Sequence, residues 1–158
     1  MKLRPHHIID IVTAYGHGEE FKPHPYGHAV HTVAQSILSD VALEVELIIG
    51  ADEICQPCKH LQSEGRCDDV LHQLDPPTSK QEYNDDLDRR LLAYLDITPG
   101  AVSTVREYLE IVDKSVPGIE KICTHPAEDQ QSRLDGLEQG LIRLGVRRGD
   151  RQEEDDDH

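Results

Sequence analysis

The chain has 158 residues, enough for one domain that buries its own core without disulfide staples. Its hydrophobic fraction is 37%, with one Phe, five Tyr and no Trp, so the core must be aliphatic. A formal net charge of -15 argues against a nucleic-acid or anionic-membrane surface.

The start, Met1-Lys2-Leu3-Arg4-Pro5-His6-His7, has no long apolar run behind it. Neither a signal peptide nor a membrane span is expected, and a reducing cytoplasm is the expected compartment. Pro5 suits the first position of a helix. Ile8, Ile11, Val12 and Tyr15 then recur at helical spacing up to Gly16, which predicts an amphipathic helix. On it His6 and Asp10 are four apart and His7 and Asp10 three apart, so each pair can meet. Imidazoles beside a carboxylate suit proton transfer or metal ligation; the plainer alternative is a helix cap and a packed core histidine.

Gly16 to Pro25 reads as a loop, and Pro25 opens a second helix with Val30, Val33, Ala34, Ile37 and Leu38 on one face. His28 and His31 are neighbours on that helix, with His24 just before it; they are candidates for zinc or nickel, or simply surface histidines. Leu43, Val45, Leu47 and Ile49 then alternate with Glu44 and Glu46, the pattern of a half-buried strand ended by Gly50. A strand needs a partner, and the other short candidates are Met1 to Arg4 and Val70 to Leu74. The sheet is therefore either small or completed by a second subunit, as in a homodimer.

The cysteine loop follows directly. Cys55, Cys58 and Cys67 form the pattern C-x2-C-x8-C, and the fourth cysteine is Cys123. A C-x-x-C step lets two thiolates face one centre, and a short loop returns a third to the same place. Soft thiolates select zinc or iron–sulfur clusters over hard cations, and four sulfurs complete either tetrahedral zinc or a cubane cluster. The alternatives are two disulfides or four unrelated buried thiols; without secretory features, a C-x-x-C points to metal or redox chemistry. His60 and His125 lie near Cys58 and Cys123, where either could replace a sulfur.

Beyond Asp75-Pro76-Pro77 the reading is helical. Ser79 and Glu82 fit a capping box, with Tyr83, Leu87, Leu91, Tyr94 and Leu95 as the buried face. Thr98-Pro99 predicts the start of the next helix, with Val102, Val105, Leu109 and Val112 inward. Pro117-Gly118 breaks it, and a short apolar turn, Ile119 to Ile122, leads to Cys123. Pro126 opens the last helix, with Leu134, Leu137, Leu141 and Leu144 inward up to Gly145. The run Asp85-Asp86-x-Asp88 lacks the Gly and terminal Glu of a calcium loop and reads as a solvated helix face. The expected domain spans residues 1–146, and 147–158 is read as a disordered acidic tail.

The R-P-H-H-I-I start and Gly50-Ala51-Asp52-Glu53-Ile54-Cys55-Gln56-Pro57-Cys58, read as G-x-D-x-I-C-x-x-C, give the chain a likeness to known proteins. From Met1 to Thr124 it resembles a family of small bacterial and archaeal proteins of unknown function regarded as iron–sulfur binding. Members carry a cysteine where this chain has Asp10, and more cysteines near the C-terminal end, where this chain has Cys123. The resemblance implies an iron–sulfur cluster and leaves Cys123, Asp10 or a histidine as the fourth ligand.

The expected fold is mainly α with a small β element (α+β), a single-domain bundle of about five helices around a cysteine-rich metal-binding loop. The expected function is a small cytoplasmic iron–sulfur protein with a 4Fe–4S cluster on Cys55, Cys58, Cys67 and Cys123, in electron transfer or redox sensing with a redox partner protein. Two alternatives stand beside it. One is a structural-zinc interaction module; the other is a cluster-dependent enzyme whose open iron sits beside His6, His7 and Asp10.

Overall fold

The computed structural model describes residues 1–23, 29–52, 54–55, 58, 61–62, 67–71, 76–123 and 128–148. Within them the architecture is five α-helices with two small sheets, an α+β fold. The first helix, α1 (Pro5–Gly16), starts and stops where its periodicity predicts, with Pro5 at its first turn and Arg4 in the extended conformation of an N-cap. Ile8, Ile9, Ile11 and Val12 are buried along it, and each fully buried aliphatic side chain is worth roughly 1.5–3 kcal/mol relative to exposure.

Helix α2 (Val30–Ser39) buries Val33, Ala34 and Ile37. Its expected opening at Pro25, like His24 and His28, lies outside the described residues. Strand β2 (Glu44–Leu47) realises the alternating stretch and forms the centre of a three-stranded sheet. It pairs in parallel with β1 (Lys2–Leu3), matching Lys2 to Glu46 and Leu3 to Leu47. It pairs antiparallel with β5 (Val102–Thr104), matching Glu44 to Thr104 and Glu46 to Val102. The chain thus supplies both partners of β2, and no second subunit is needed to pair that strand.

Strand β5 corrects the expectation that a helix starts at Thr98-Pro99. Ala101 closes a turn onto the Thr98 carbonyl at 3.1 Å, and Gly100 occupies φ +87° and donates its N–H to Leu47 O at 2.7 Å. Gly100 reaches the left-handed region at no steric cost, and that turn feeds a strand rather than a helix. Val102, expected inward, is 61% exposed. Helix α4 (Val105–Asp113) starts six residues later than Pro99, behind a complete capping box between Thr104 and Glu107. That signature is present in the sequence and is the local signal that outweighs Thr98-Pro99.

A hairpin of β3 (Val70–Leu71) and β4 (Thr78–Ser79) delivers the chain to α3 (Lys80–Leu95), whose N-cap Ser79 accepts the Glu82 N–H. After α4 a 3-10 turn, Ile119–Lys121, precedes Cys123, and α5 (Gln130–Arg143) follows with Asp129 as its N-cap. The expected helix start at Pro126 lies outside the described residues. Helix α5 packs along α1, where Gly16, Gly136 and Gly140 let the two backbones touch. Arg147, read as the first residue of the tail, donates its N–H to Leu141 O at 3.1 Å and reaches Asp113 at 3.4 Å. Residues 149–158 lie outside the described residues. Among the described residues no helix is long and apolar enough to cross a membrane.

Candidate metal centre

The four cysteines come to one place. Cys55, Cys58, Cys67 and Cys123 line a single cavity of about 330 Å³, and so do Arg4, His6, His7 and Asp10. That volume lies at the lower end of the range for small-ligand sites. Four elements converge to build it: the N-terminus of α1, the thiol loop, the first turns of α3, and the turn that carries Cys123.

Asp52 organises the start of the loop. Its carboxylate is buried and accepts the Ile54 N–H at 3.0 Å and the Cys55 N–H at 3.3 Å through Oδ1. Through Oδ2 it accepts the Arg4 N–H at 2.7 Å and meets His7 Nδ1 at 2.7 Å. One side chain therefore caps the turn bearing Cys55 and ties it to the head of α1. Burial alone would raise the Asp52 pKa, but the His7 charge and these hydrogen bonds hold it down at about 2. Further along, Cys58 N–H bonds to Cys55 O at 2.9 Å, and an isolated antiparallel bridge joins Leu61 to Cys67. Gln81 of α3 accepts the Cys67 N–H at 2.9 Å.

The histidines find different partners from those expected. Neither pairs with Asp10 on its own helix. His6 Nδ1 lies 2.8 Å from Asp88 Oδ1, and His7 is held by Asp52, with the two ring centroids 4.5 Å apart. A carboxylate on Nδ1 fixes the ring and leaves Nε2 as the nitrogen available to the cavity. Asp10 instead forms an ion pair with Arg133 at 2.6 Å. Arg133 also donates to Cys123 O at 2.9 Å, so α5 secures the turn that carries the fourth thiol.

The expectation that Asp85, Asp86 and Asp88 form a solvated face is corrected for two of the three. Asp88 is fully buried between His6 and Arg4, and Asp85 takes the Arg4 guanidinium at 2.8 Å. Asp86 alone behaves as expected, exposed beside Arg90. A pair three apart on a helix shares a face, and Arg4 is long enough to bring its charge to that face from β1's end of the chain. The sequence marks Arg4, in R-P-H-H-I-I, and Asp52, in G-x-D-x-I-C, only as motif positions without a role, and carries no signal for the parts that Gln81, Asp85 and Asp88 play.

Two of the thiols, Cys55 and Cys123, are held in a protonated state by their surroundings. Burial, reinforced by the Asp52 charge, pushes Cys55 up to about 11. Burial, reinforced by the Asp10 charge, pushes Cys123 up further. A metal would displace those protons as it binds. Among the described residues, no three His, Cys, Asp or Glu side chains are grouped closely enough to hold one metal ion. Of the other candidates, His31 does not line the cavity, and its buried Nδ1 has no partner among the described residues. His60 and His125 lie outside the described residues.

A family model described as "Protein of unknown function (DUF1284)" matches residues 24–127, about two thirds of the chain. The match includes all four cysteines, Asp52, Asp85 and Asp88, and it begins after His6 and His7. Searches of curated proteins and of solved structures each returned no match.

Proposed function

We propose, from the premise that this chain belongs to the DUF1284 family of proteins of unknown function, that it is a small iron–sulfur protein of the cytoplasm. Cys55, Cys58, Cys67 and Cys123 would hold a 4Fe–4S cluster, which supplies one-electron redox chemistry for electron transfer or redox sensing.

One observation carries this reading: all four thiols, three of them from the C-x2-C-x8-C loop, line one cavity. Tetrahedral zinc at about 2.3 Å from each sulfur needs its thiolates within about 4 Å of one another. A cubane spreads its ligand positions over several irons and accepts thiols set around a wider space. The donor set is soft, which favours iron–sulfur or zinc over hard cations. The cavity's own residues do the rest. Asp52 and Gln81 fix the backbones of Cys55 and Cys67, Arg133 fixes that of Cys123, and apolar Ile54, Leu61 and Leu87 limit water at the wall.

Purification without oxygen tests the reading. Brown protein with iron and acid-labile sulfide in similar amounts is the expected result. A colourless, folded protein with one zinc per chain would overturn it and establish the structural-zinc alternative.

A second reading rests on a separate observation, the two carboxylate-backed imidazoles on the same cavity wall. With three thiolates bound, a cluster would keep one open iron in the cavity that His6 and His7 also line, and either imidazole could exchange a proton with a bound small molecule. Full thiolate ligation by all four cysteines, seen in the cluster's spectrum, would rule this out.

A further inference from the structure

Arg4 makes a set of contacts that the thiol reading alone does not explain. It is 2% exposed and lines the cavity. Its backbone N–H is bound to Asp52, which in turn accepts the N–H of Cys55. Its guanidinium reaches Asp85 at 2.8 Å; Asp85 takes the Gln81 amide at 3.1 Å, and Gln81 accepts the N–H of Cys67. Two separate chains of hydrogen bonds therefore run from one residue to the backbones at opposite ends of the thiol loop. The second guanidinium nitrogen is bound to Asp88 at 2.9 Å, which locks the plane of the group.

We infer that Arg4 is a positioning residue for the thiol centre, spacing Cys55 and Cys67 through its two hydrogen-bond chains. The inference rests on the proposal that the cysteines hold a metal centre, and it adds the residue that presets its dimensions. Residues that orient ligands from behind typically change metal affinity by about 10–100-fold when replaced.

The test uses the metal-free full chain, titrated anaerobically with cobalt(II) and read by the thiolate-to-cobalt absorption bands. Gln81→Met cuts the chain to Cys67 while leaving the Arg4 ion pairs in place, and about 10–100-fold weaker binding with an altered band pattern is expected. The double variant Gln81→Glu/Asp85→Asn rebuilds the same bonds with donor and acceptor exchanged, so it should restore most of the affinity. Arg4→Lys keeps the charge but cannot hold Asp85 and Asp88 with two separate nitrogens, so it should also bind cobalt(II) about 10–100-fold more weakly than the wild type. Should Arg4→Lys fail to fold, as judged by its thermal midpoint, the Gln81 variants decide the matter.

The outcomes separate the two claims. Wild-type protein without thiolate–cobalt bands removes the metal centre and this role with it. Wild-type binding that Gln81→Met leaves unchanged, or a loss that the double variant does not restore, overturns the role of Arg4 alone.

Discussion

His6 and Asp88 are joined twice: Asp88 Oδ1 accepts the His6 backbone N–H at 3.0 Å and meets the same residue's Nδ1 at 2.8 Å. The carboxylate thus satisfies one of the unpaired amides at the start of α1 and also holds the ring. Burial by itself would lower the His6 pKa, but the Asp88 charge and hydrogen bond outweigh it and raise the value. Burial would likewise raise Asp88, and His6 with Arg4 brings it down.

This pair makes stability depend on pH in two directions. The His6 contribution is complete below the ordinary histidine value, about 6.5, and is lost as pH rises through the raised folded value. The Asp88 contribution is present above the ordinary carboxylate value and is lost as pH falls through its lowered folded value. Urea unfolding of the wild type should therefore show a decline as pH rises above the ordinary histidine value that His6→Gln abolishes. Asp88→Asn, which also strips Arg4 of a buried partner, should destabilise by about 3–5 kcal/mol at neutral pH. A His6→Gln variant with the wild-type slope would show that the slope comes from elsewhere.

Asp52 should be the acid-sensitive element of the loop. With its pKa held at about 2, its charged form contributes fully above the ordinary value of 3.8, and the contribution fades as pH falls between them. Replacement by Asn removes the charge from four hydrogen bonds, with an expected loss of about 1.5–3 kcal/mol at neutral pH. The unfolding midpoint of Asp52→Asn should change less than that of the wild type between pH 4 and pH 2, values that bracket the shift. Parallel acid profiles would contradict this assignment.

The fourth ligand can be assigned by metal content. Asp10 is committed to Arg133 and is 45% exposed, whereas Cys123 is buried on the cavity wall. Cys123→Ser should lose most of the bound metal, and Asp10→Asn should stay close to the wild type in iron and sulfide analysis. The reverse result would move the centre onto α1.

The contact between α1 and α5 allows no side chain at Gly140. A Cβ there would collide with the Val12 carbonyl, and one at Gly16 would collide with the Gly136 carbonyl. Gly140→Ala should destabilise by about 1–3 kcal/mol despite the higher helix propensity of Ala, while Gln139→Ala, on the exposed face, should be neutral or slightly stabilising. Denaturant midpoints compare the two directly. Since α5 also carries Arg133, the displaced helix should loosen Cys123 as well.

The local features of this protein were legible in its sequence because they depend on neighbours. Pro5, the apolar spacing and Gly16 delimit α1; the alternation of Leu43 to Ile49 gives β2; Ser79 caps α3. The cysteine spacing likewise identified the thiols that line the cavity. What the tertiary structure decided is who meets whom. The sequence offers His6 and His7 the nearby Asp10, but the folded chain gives them Asp88 and Asp52, 82 and 45 residues away, and gives Asp10 to Arg133. It turns two aspartates of an apparently solvated run inward onto Arg4, and it makes Val102 to Thr104 a strand. Pairing of charges and of strands depends on which surfaces packing brings together, and a carboxylate will take whichever buried donor lies within hydrogen-bond distance. Periodicity tells which face of a helix is buried; only the packed chain tells what it is buried against.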